Sequence, residues 1–197
     1  AAREANVQRV VFSSTSAAYG LSNTPPLRED MPRDCLNPYS ISKCAGEDLC
    51  KMYTDLYGLE TVAFRYFNVY GNRQPIKGQY APVIGLFLRQ KEEGLPMTII
   101  GTGEQRRDFT HVSDVVEANL LAADLKNKRI VGQLFNIGTG INHSILDLVE
   151  MIGGERAFLA PRLAEAMVSL ADNSKAKHLL KWNPQTCLKN WIENERR

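Results

Sequence analysis

Two short apolar runs, separated by a longer helical pattern, dominate the first third of the chain. Val7 to Ser13 (VQRVVFS) and Leu59 to Phe67 (LETVAFRYF) are rich in β-branched and aromatic residues, so each predicts a buried strand. Between them, Asn37 suits an N-cap, Pro38 suits the first helical position, and Gly58 suits the position after the last turn. Strand, loop, helix and strand in this order predict a βαβ unit with a parallel sheet.

The rest of the chain continues to alternate between shorter helices and strands. Helical patterns cover residues 82–93, 112–123, 144–151 and 173–180 and the segment after Thr186. Strand patterns cover residues 97–101 and 131–137. Residues 1–6 resemble the end of a helix. Ser113 is the predicted N-cap of the 112–123 helix, and Asp108 and Asp114 beside it are interpreted as residues that brace turns. The predicted fold class is α/β.

Composition and charge exclude several functional classes. The 197 residues include 24 basic and 22 acidic side chains, and the net charge of +2 argues against a nucleic-acid-binding face. No apolar run approaches the about 18 residues that a membrane span needs. The cysteines, Cys35, Cys44, Cys50 and Cys187, form no CxxC pair and no histidine lies at ligand spacing, so we expect reduced thiols, no metal site and a cytoplasmic location.

Tyr39 and Lys43 carry the clearest candidate chemistry. They lie four residues apart, so a helix places both on one face. A phenol is a weak base because its reference pKa is about 10, but a neighbouring ammonium stabilises the phenolate, which can then accept a proton. Thr15 follows the first strand, at the edge where open α/β sheets bind ligands. The alternatives are a packed tyrosine beside a solvated lysine, and ordinary turn chemistry at Ser13 to Ser16.

Five segments carry a family resemblance that covers nearly the whole chain. They are FSSTSAAYG, NPYSISK, FRYFNVYG, IIGTGEQRRDFTHVSDVVEA and SLADNSKAKHLLKWNP, in this order. Together they resemble the extended short-chain dehydrogenase/reductase family, specifically its nucleotide-sugar 4-epimerases. The resemblance implies the C-terminal part of a Rossmann-type parallel sheet plus a small α/β substrate-binding domain. Residues 1–80 and 108–142 would form the remainder of the NAD-binding domain, and residues 81–107 and 143–197 the nucleotide-sugar-binding domain.

The resemblance implies NAD as the cofactor and three catalytic residues. Thr15 matches the family's proton-relaying hydroxyl, Tyr39 its base, and Lys43 the lysine that holds the nicotinamide ribose. The residues implied to contact the cofactor are Ser13, Ser14, Tyr39, Lys43, Tyr66 and Phe67, with the two serines beside the nicotinamide and the last two lining its pocket.

A UDP-sugar is the substrate that the resemblance implies. Asn68 and Arg107 would hold the diphosphate, and a guanidinium suits this role because its planar fork pairs with phosphate oxygens. Arg162 and Glu165 match the family's phosphate- and ribose-binding pair, and Ser169 matches the residue that contacts the sugar. The alternative for both arginines is surface ion pairing.

The residues that follow Thr15 reduce the number of reaction types that the resemblance allows. Dehydratases of this family usually have Asp-Glu there to eliminate water, whereas this chain has Ser16 and Ala17. Oxidation at C4 and return of hydride to the other face of a 4-keto intermediate remain, with NAD retained as a catalyst. A small residue at Ser169 implies room for a 2-acetamido group, so we expect UDP-N-acetylglucosamine/galactosamine in addition to UDP-glucose/galactose. The alternative is that Ser169 is small for packing.

The glycine-rich GxxGxxG segment, with which the family pattern begins, does not occur in this sequence. We therefore expect an N-terminally truncated epimerase with an exposed sheet edge. The alternatives are a noncatalytic nucleotide-sugar-binding fragment or interaction module, and a different epimerase or reductase of the same family. The apolar stripe on helix 39–57 predicts core or a subunit interface, and the family implies a homodimer through this helix.

Overall fold

The computed structural model describes residues 1–78, 81–161 and 166–195, in which strands and helices alternate. The strands are β1 (Arg9–Thr15), β2 (Glu60–Tyr66), β3 (Val69–Tyr70), β4 (Met97–Ile100), β5 (Arg106–Asp108), β6 (Thr110–His111), β7 (Gln133–Ile137), β8 (Asn142–Ser144) and β9 (Arg156–Leu159). The helices are α1 (Pro38–Tyr57), α2 (Val83–Glu92), α3 (Val112–Ala123), α4 (Ile145–Ile152) and α5 (Leu188–Glu195). The predicted α/β class is confirmed.

A parallel three-stranded sheet, in the order β1, β2, β7, organises the site. The middle strand β2 is buried along most of its length, as expected for a parallel strand that is covered on both faces. Thr15 pairs with Tyr66, and Tyr66 pairs with Ile137, so the three strands end together. The predicted βαβ unit is therefore correct, and its register places Thr15 and Tyr66 at the ligand-binding edge.

Helix α1 begins and ends where the sequence predicts. The Asn37 side chain accepts a hydrogen bond from the Ser40 N–H at 2.9 Å, and the Ser40 side chain accepts one from the Asn37 N–H, which completes a capping box. Gly58 closes the helix in the left-handed region at φ 67°. Gly46 permits a close approach to β1, because a Cβ there would lie 2.2 Å from the Phe12 ring. The middle of the helix thus packs closely against the strand that carries Thr15.

The buried apolar residues form two main clusters. The first gathers side chains of β2, β7 and α3, with Phe64 and Phe135 edge to face at 6.1 Å between ring centroids. The second gathers α2, β4, α4 and α5 around residues such as Phe87 and Ile99. Trp182 and the π-helical segment Ala176–Leu180 contribute to the first cluster, so this stretch packs with the sheet, although the sequence places it in the substrate-binding unit. The two-domain division itself stays a prediction.

Three local features differ from the sequence predictions. Residues 2–6 form turns and no helix. The N-cap of α3 is His111, whose Nδ1 accepts a hydrogen bond from the Ser113 N–H at 3.2 Å, so an imidazole two residues earlier takes the capping role predicted for the Ser113 hydroxyl. Residues 176–180 are π-helical. Among the described residues, none of the helices has both the length and the hydropathy needed to cross a bilayer.

Candidate active site

Tyr39 and Lys43 lie on the first turns of α1, close to the end of β1. The Lys43 ammonium donates a hydrogen bond to the Ser13 carbonyl oxygen at 2.9 Å and lies 5.9 Å from the centroid of the Tyr39 ring. Tyr39 is 55% exposed, so a ligand can reach its hydroxyl. Thr15 ends β1, and its hydroxyl accepts a hydrogen bond from the Ala17 N–H at 3.1 Å. The structure therefore brings the three predicted catalytic residues to one edge of the sheet.

Ser13 and Tyr66 connect the ends of the two neighbouring strands. The Ser13 hydroxyl donates to the Tyr66 hydroxyl at 3.4 Å, and the Asn119 side-chain amide donates to the same Tyr66 oxygen at 2.9 Å. Asn119 in turn donates to the Val115 carbonyl oxygen within α3. The Tyr66 ring is thereby oriented from both sides at the predicted nicotinamide position.

The Phe67 side chain, which the resemblance implies to line the nicotinamide pocket, lies in the apolar core. It is fully buried and packs with Tyr19, Leu27 and Ala171. Successive side chains alternate across a strand, so a ring that follows Tyr66 points to the opposite side. This ring is part of the core behind the site, and a contact between Phe67 and the cofactor stays a prediction.

Glu47 is a buried carboxylate that the sequence analysis does not single out. Arg65 of β2 binds it through Nε at 2.9 Å and Nη2 at 2.8 Å, which is a bidentate pair. Burial alone lowers the pKa of Arg65, but its hydrogen bonds to Glu47 raise it, and the net direction is upward. The Ser14 hydroxyl donates to Glu47 at 2.5 Å, and Arg33 adds a further bond at 3.1 Å. Glu47 thus ties β1, beside Thr15, to the helix that carries the candidate base.

A cavity of about 520 Å³ opens beyond the ends of β1 and β2. Its lining includes the predicted residues Ser14, Thr15, Tyr39, Tyr66, Asn68, Arg107 and Ser169. Ser169 reaches it because its segment pairs with β5, where the Ser169 N–H donates to the Arg106 carbonyl oxygen at 2.9 Å. Residues that are far apart along the chain therefore share one cavity.

A second cavity of about 390 Å³ adjoins α2, and its lining combines apolar side chains such as Leu86 and Phe87 with polar ones such as Thr98 and Gln105. Asn68 and Arg107 line both cavities. The Asn68 amide donates to the Asp108 carbonyl oxygen at 2.9 Å, and Arg107 donates to the Arg106 carbonyl oxygen at 2.9 Å. Two polar side chains thus lie where the cavities meet.

Asp108 braces the loop next to Arg107. Its carboxylate accepts hydrogen bonds from the backbone N–H groups of Thr139, Gly140 and Ala171 at 2.8, 2.9 and 3.1 Å. Burial raises the pKa of Asp108, and these hydrogen bonds oppose the rise. Asp114 acts similarly, because it accepts hydrogen bonds from the N–H groups that follow Pro184. Both aspartates have the structural role that the sequence suggests.

Arg162 and Glu165 lie outside the described residues, so their predicted contacts with the nucleotide stay a prediction.

Comparison with known proteins identifies the family of the chain. The sequence model of the NAD dependent epimerase/dehydratase family matches residues 1–138, which is more than half of the chain. The chain belongs to this family. The resemblance to nucleotide-sugar epimerases is thereby confirmed, and NAD is the cofactor of the family.

Proteins similar to this chain include enzymes whose structures have been solved with bound ligands. A putative UDP-glucose 4-epimerase of Methanocaldococcus jannaschii is 38% identical, over 99% of this chain and 66% of that protein. UDP-N-acetylglucosamine 4-epimerase from Methanobrevibacter ruminantium M1, in complex with UDP-N-acetylmuramic acid, is 32% identical with a TM-score of 0.91, over 97% of this chain and 62% of that one. UDP-glucuronic acid 4-epimerase from Bacillus cereus, in complex with UDP-glucuronic acid and NAD, is 34% identical with a TM-score of 0.84, over 94% and 59%. The chain thus spans 59% to 66% of the length of these relatives.

Proposed function

We propose that the protein interconverts the C4 epimers of a UDP-hexose with the help of NAD. The observation that carries the proposal is the cavity that joins Thr15 and Tyr39 to Asn68 and Arg107. Such a cavity has a proton acceptor at one end and phosphate-binding donors at the other, as a nucleotide sugar with a reacting hydroxyl requires.

The residues at the end of β1 fit the nicotinamide half of NAD. The Lys43 ammonium and the Tyr39 phenol offer donors to ribose hydroxyls, and Ser13 and Tyr66 lie beside them with oriented hydroxyl groups. When bound there, NAD supplies the acceptor and donor of hydride at C4. In this proposal Ser14 contacts the cofactor through its backbone, because its hydroxyl donates a hydrogen bond to Glu47.

The protein's own residues supply the proton chemistry. Tyr39 accepts the proton of the C4 hydroxyl, Thr15 passes it between sugar and phenol, and the Lys43 charge stabilises the phenolate. Tyr39 returns the same proton when the opposite C4 epimer forms. Ser16 and Ala17 line the cavity next to Thr15 and contribute neither acid nor base for the elimination of water.

The nucleotide would bridge the two cavities. Because Asn68 and Arg107 line both, we place the diphosphate beside them, the hexose beyond β1 and the uridine in the cavity next to α2. In this proposal, Arg162 and Glu165 complete the binding of the nucleotide.

Replacing Arg107 by glutamine should weaken UDP binding by roughly 10- to 100-fold, since a hydrogen bond to a charged group contributes about 1.5–3 kcal/mol. Titration calorimetry with UDP measures this without any need for turnover. The matched control is Arg106→Gln, because the Arg106 guanidinium is bonded to Asn142 and does not line either cavity. Equal losses in the two variants would contradict the placement of the diphosphate.

Ser169 is the residue that we propose to admit a 2-acetamido group. Ser169→Tyr should lower kcat/KM for UDP-N-acetylglucosamine by roughly 10- to 200-fold relative to UDP-glucose, the range that a steric change in a pocket produces. Ser169→Ala keeps the side chain small and should leave the ratio unchanged. If the tyrosine variant turns over both substrates in the parental ratio, Ser169 is small for packing and does not select the sugar.

The proposed activity is tested by incubating the protein with NAD and each UDP-sugar, followed by chromatographic separation of the C4 epimers. Turnover of UDP-N-acetylglucosamine or UDP-glucose supports the proposal. Binding of UDP without binding of NAD supports the alternative, a noncatalytic nucleotide-sugar-binding module. Turnover restricted to UDP-glucuronic acid, the ligand of the Bacillus cereus relative, identifies a different epimerase of the same family.

A homodimer through α1 is part of the proposal for the whole protein. Large apolar side chains on this helix are exposed, among them Ile41, Leu49 and Leu56, and Leu120 of α3 is also 68% exposed. This stripe supports a subunit interface, because apolar residues at helical spacing ordinarily pack against something.

A further inference from the structure

Two cysteines that the sequence gives no reason to pair lie in contact beside the site. The Cys35 Sγ is 3.4 Å from the Cys44 Sγ. Cys44 is on the second turn of α1, directly after Lys43, and Cys35 lies two residues before the N-cap Asn37. A disulfide needs a sulfur–sulfur separation of about 2.05 Å, so only a small side-chain movement separates the two thiols from bonding distance.

The surrounding bonds hold the Cys35 segment against α1. Arg33 forms ion pairs with Glu47 at 3.1 Å and with Asp48 at 2.8 Å, both on α1. Asp34 accepts hydrogen bonds from the Leu21 and Ser22 N–H groups at 2.8 and 2.9 Å. The residues before Cys35 are thus held by these bonds, and the residues after it are held by the cap of α1. The two thiols are therefore held close to each other before any oxidation occurs.

The two thiols differ in their access to solvent. Cys44 is buried, and this burial, with the hydrogen bond to Cys35 and the nearby Glu47 carboxylate, raises the pKa of Cys44 to about 11. Cys35 is half-buried. A reagent in solution therefore reaches Cys35 first, and Cys44 is placed as the thiol that reacts second.

We propose that Cys35 and Cys44 are a reversible redox pair, oxidised to an intramolecular disulfide by a low-molecular-weight disulfide. Cys35, after losing its proton to solvent, attacks one sulfur of the reagent RSSR, which breaks the S–S bond and releases RS⁻. Cys44 then loses its proton and attacks the Cys35 sulfur, expelling the second RS⁻. Two protein thiols are oxidised, one RSSR is reduced to two thiolates, and the two released protons convert these to RSH.

The disulfide would fasten the rim of the larger cavity. Leu36 and Asn37 line that cavity and lie between the two cysteines in sequence. The bond would tie this rim to the helix turn that carries Lys43. This inference does not depend on the proposed epimerase activity, because it rests on the contact between the two sulfurs.

The test uses the reduced protein, oxidised glutathione as the probe, and a variant in which Cys50 and Cys187 are serine. After rapid alkylation with N-ethylmaleimide, intact mass should show the loss of both alkylatable thiols without retained glutathione. A nonreducing peptide map should show Cys35 linked to Cys44, and dithiothreitol should restore both thiols.

Single variants provide the matched controls. Cys44→Ser should stop at a glutathione adduct on Cys35, and Cys35→Ser should leave Cys44 unmodified, with thermal unfolding used to verify that each variant is folded. The proposal is overturned if the variant that retains only Cys35 and Cys44 keeps two alkylatable thiols. It is also overturned if glutathione remains bound to Cys35 while Cys44 is intact, or if the disulfide links two molecules.

Discussion

Tyr39→Phe should lower the rate of epimerisation by about 10²- to 10⁴-fold, the contribution that a positioned general acid or base makes. The substitution removes only the hydroxyl, so the ring beside Lys43 is retained and ligand binding should change little. Because the lost interaction is with a proton in transit, the effect belongs in kcat rather than in KM. Steady-state kinetics with the preferred UDP-sugar, together with calorimetric titration of UDP, separates the two quantities.

The matched control for this substitution is Tyr57→Phe at the other end of the same helix. Tyr57 is 49% exposed, similar to Tyr39, and does not line the larger cavity. It should retain the parental kcat. Full activity in Tyr39→Phe would assign the proton transfer to another group and leave the proposed mechanism without its base.

Local features of the fold could be predicted from the sequence because their determinants are adjacent in the chain. The N-cap Asn37 that begins α1 and the glycine that ends it depend on neighbouring residues, and both occur as predicted. The βαβ order could also be predicted, because each element has its own pattern of apolar residues. His111 shows the limit of such reasoning, because an imidazole can cap a helix in the same way as a hydroxyl, which places the cap two residues before Ser113.

Features that depend on tertiary packing were accessible only from the structure. Glu47 and Arg65 lie on a helix and a strand, and nothing in either pattern indicates that the two side chains meet. The contact between Cys35 and Cys44 depends on how a loop folds back on α1. Phe67 illustrates a different limit: the family motif gave its position in the chain, but the alternation of side chains decides which side its ring occupies.

The sequence motifs predict individual side chains of the candidate site. Thr15, Tyr39, Asn68, Arg107 and Ser169 line one cavity, although they come from separate segments. Motifs do not show what holds such residues in place. The residues that do so are buried: Glu47 is bonded to the side chains of Ser14 and Arg65, and Asp108 is bonded to backbone N–H groups. Their identification needs the hydrogen-bond network.

Glu47→Ala should lower the free energy of unfolding by about 3–5 kcal/mol, the cost of removing one partner of a buried ion pair. The side chains of Glu47 and Arg65 are only 4% and 2% exposed, so the guanidinium would be left buried without its carboxylate. The Ser14 hydroxyl would lose its acceptor at the same time. Urea denaturation followed by circular dichroism measures the change.

Asp48→Ala is the matched control, because it removes the next carboxylate on the same helix and also breaks an ion pair with Arg33. The Asp48 side chain is 67% exposed, and an exposed pair contributes at most about 1 kcal/mol. The double variant Glu47→Leu with Arg65→Met should regain much of the lost stability, since it removes both charges and refills the space. If Glu47→Ala and Asp48→Ala lower the free energy of unfolding equally, burial of the Glu47–Arg65 pair does not determine its contribution to stability. A Glu47→Ala loss that the double variant does not recover would instead assign the effect to Ser14 and the end of β1.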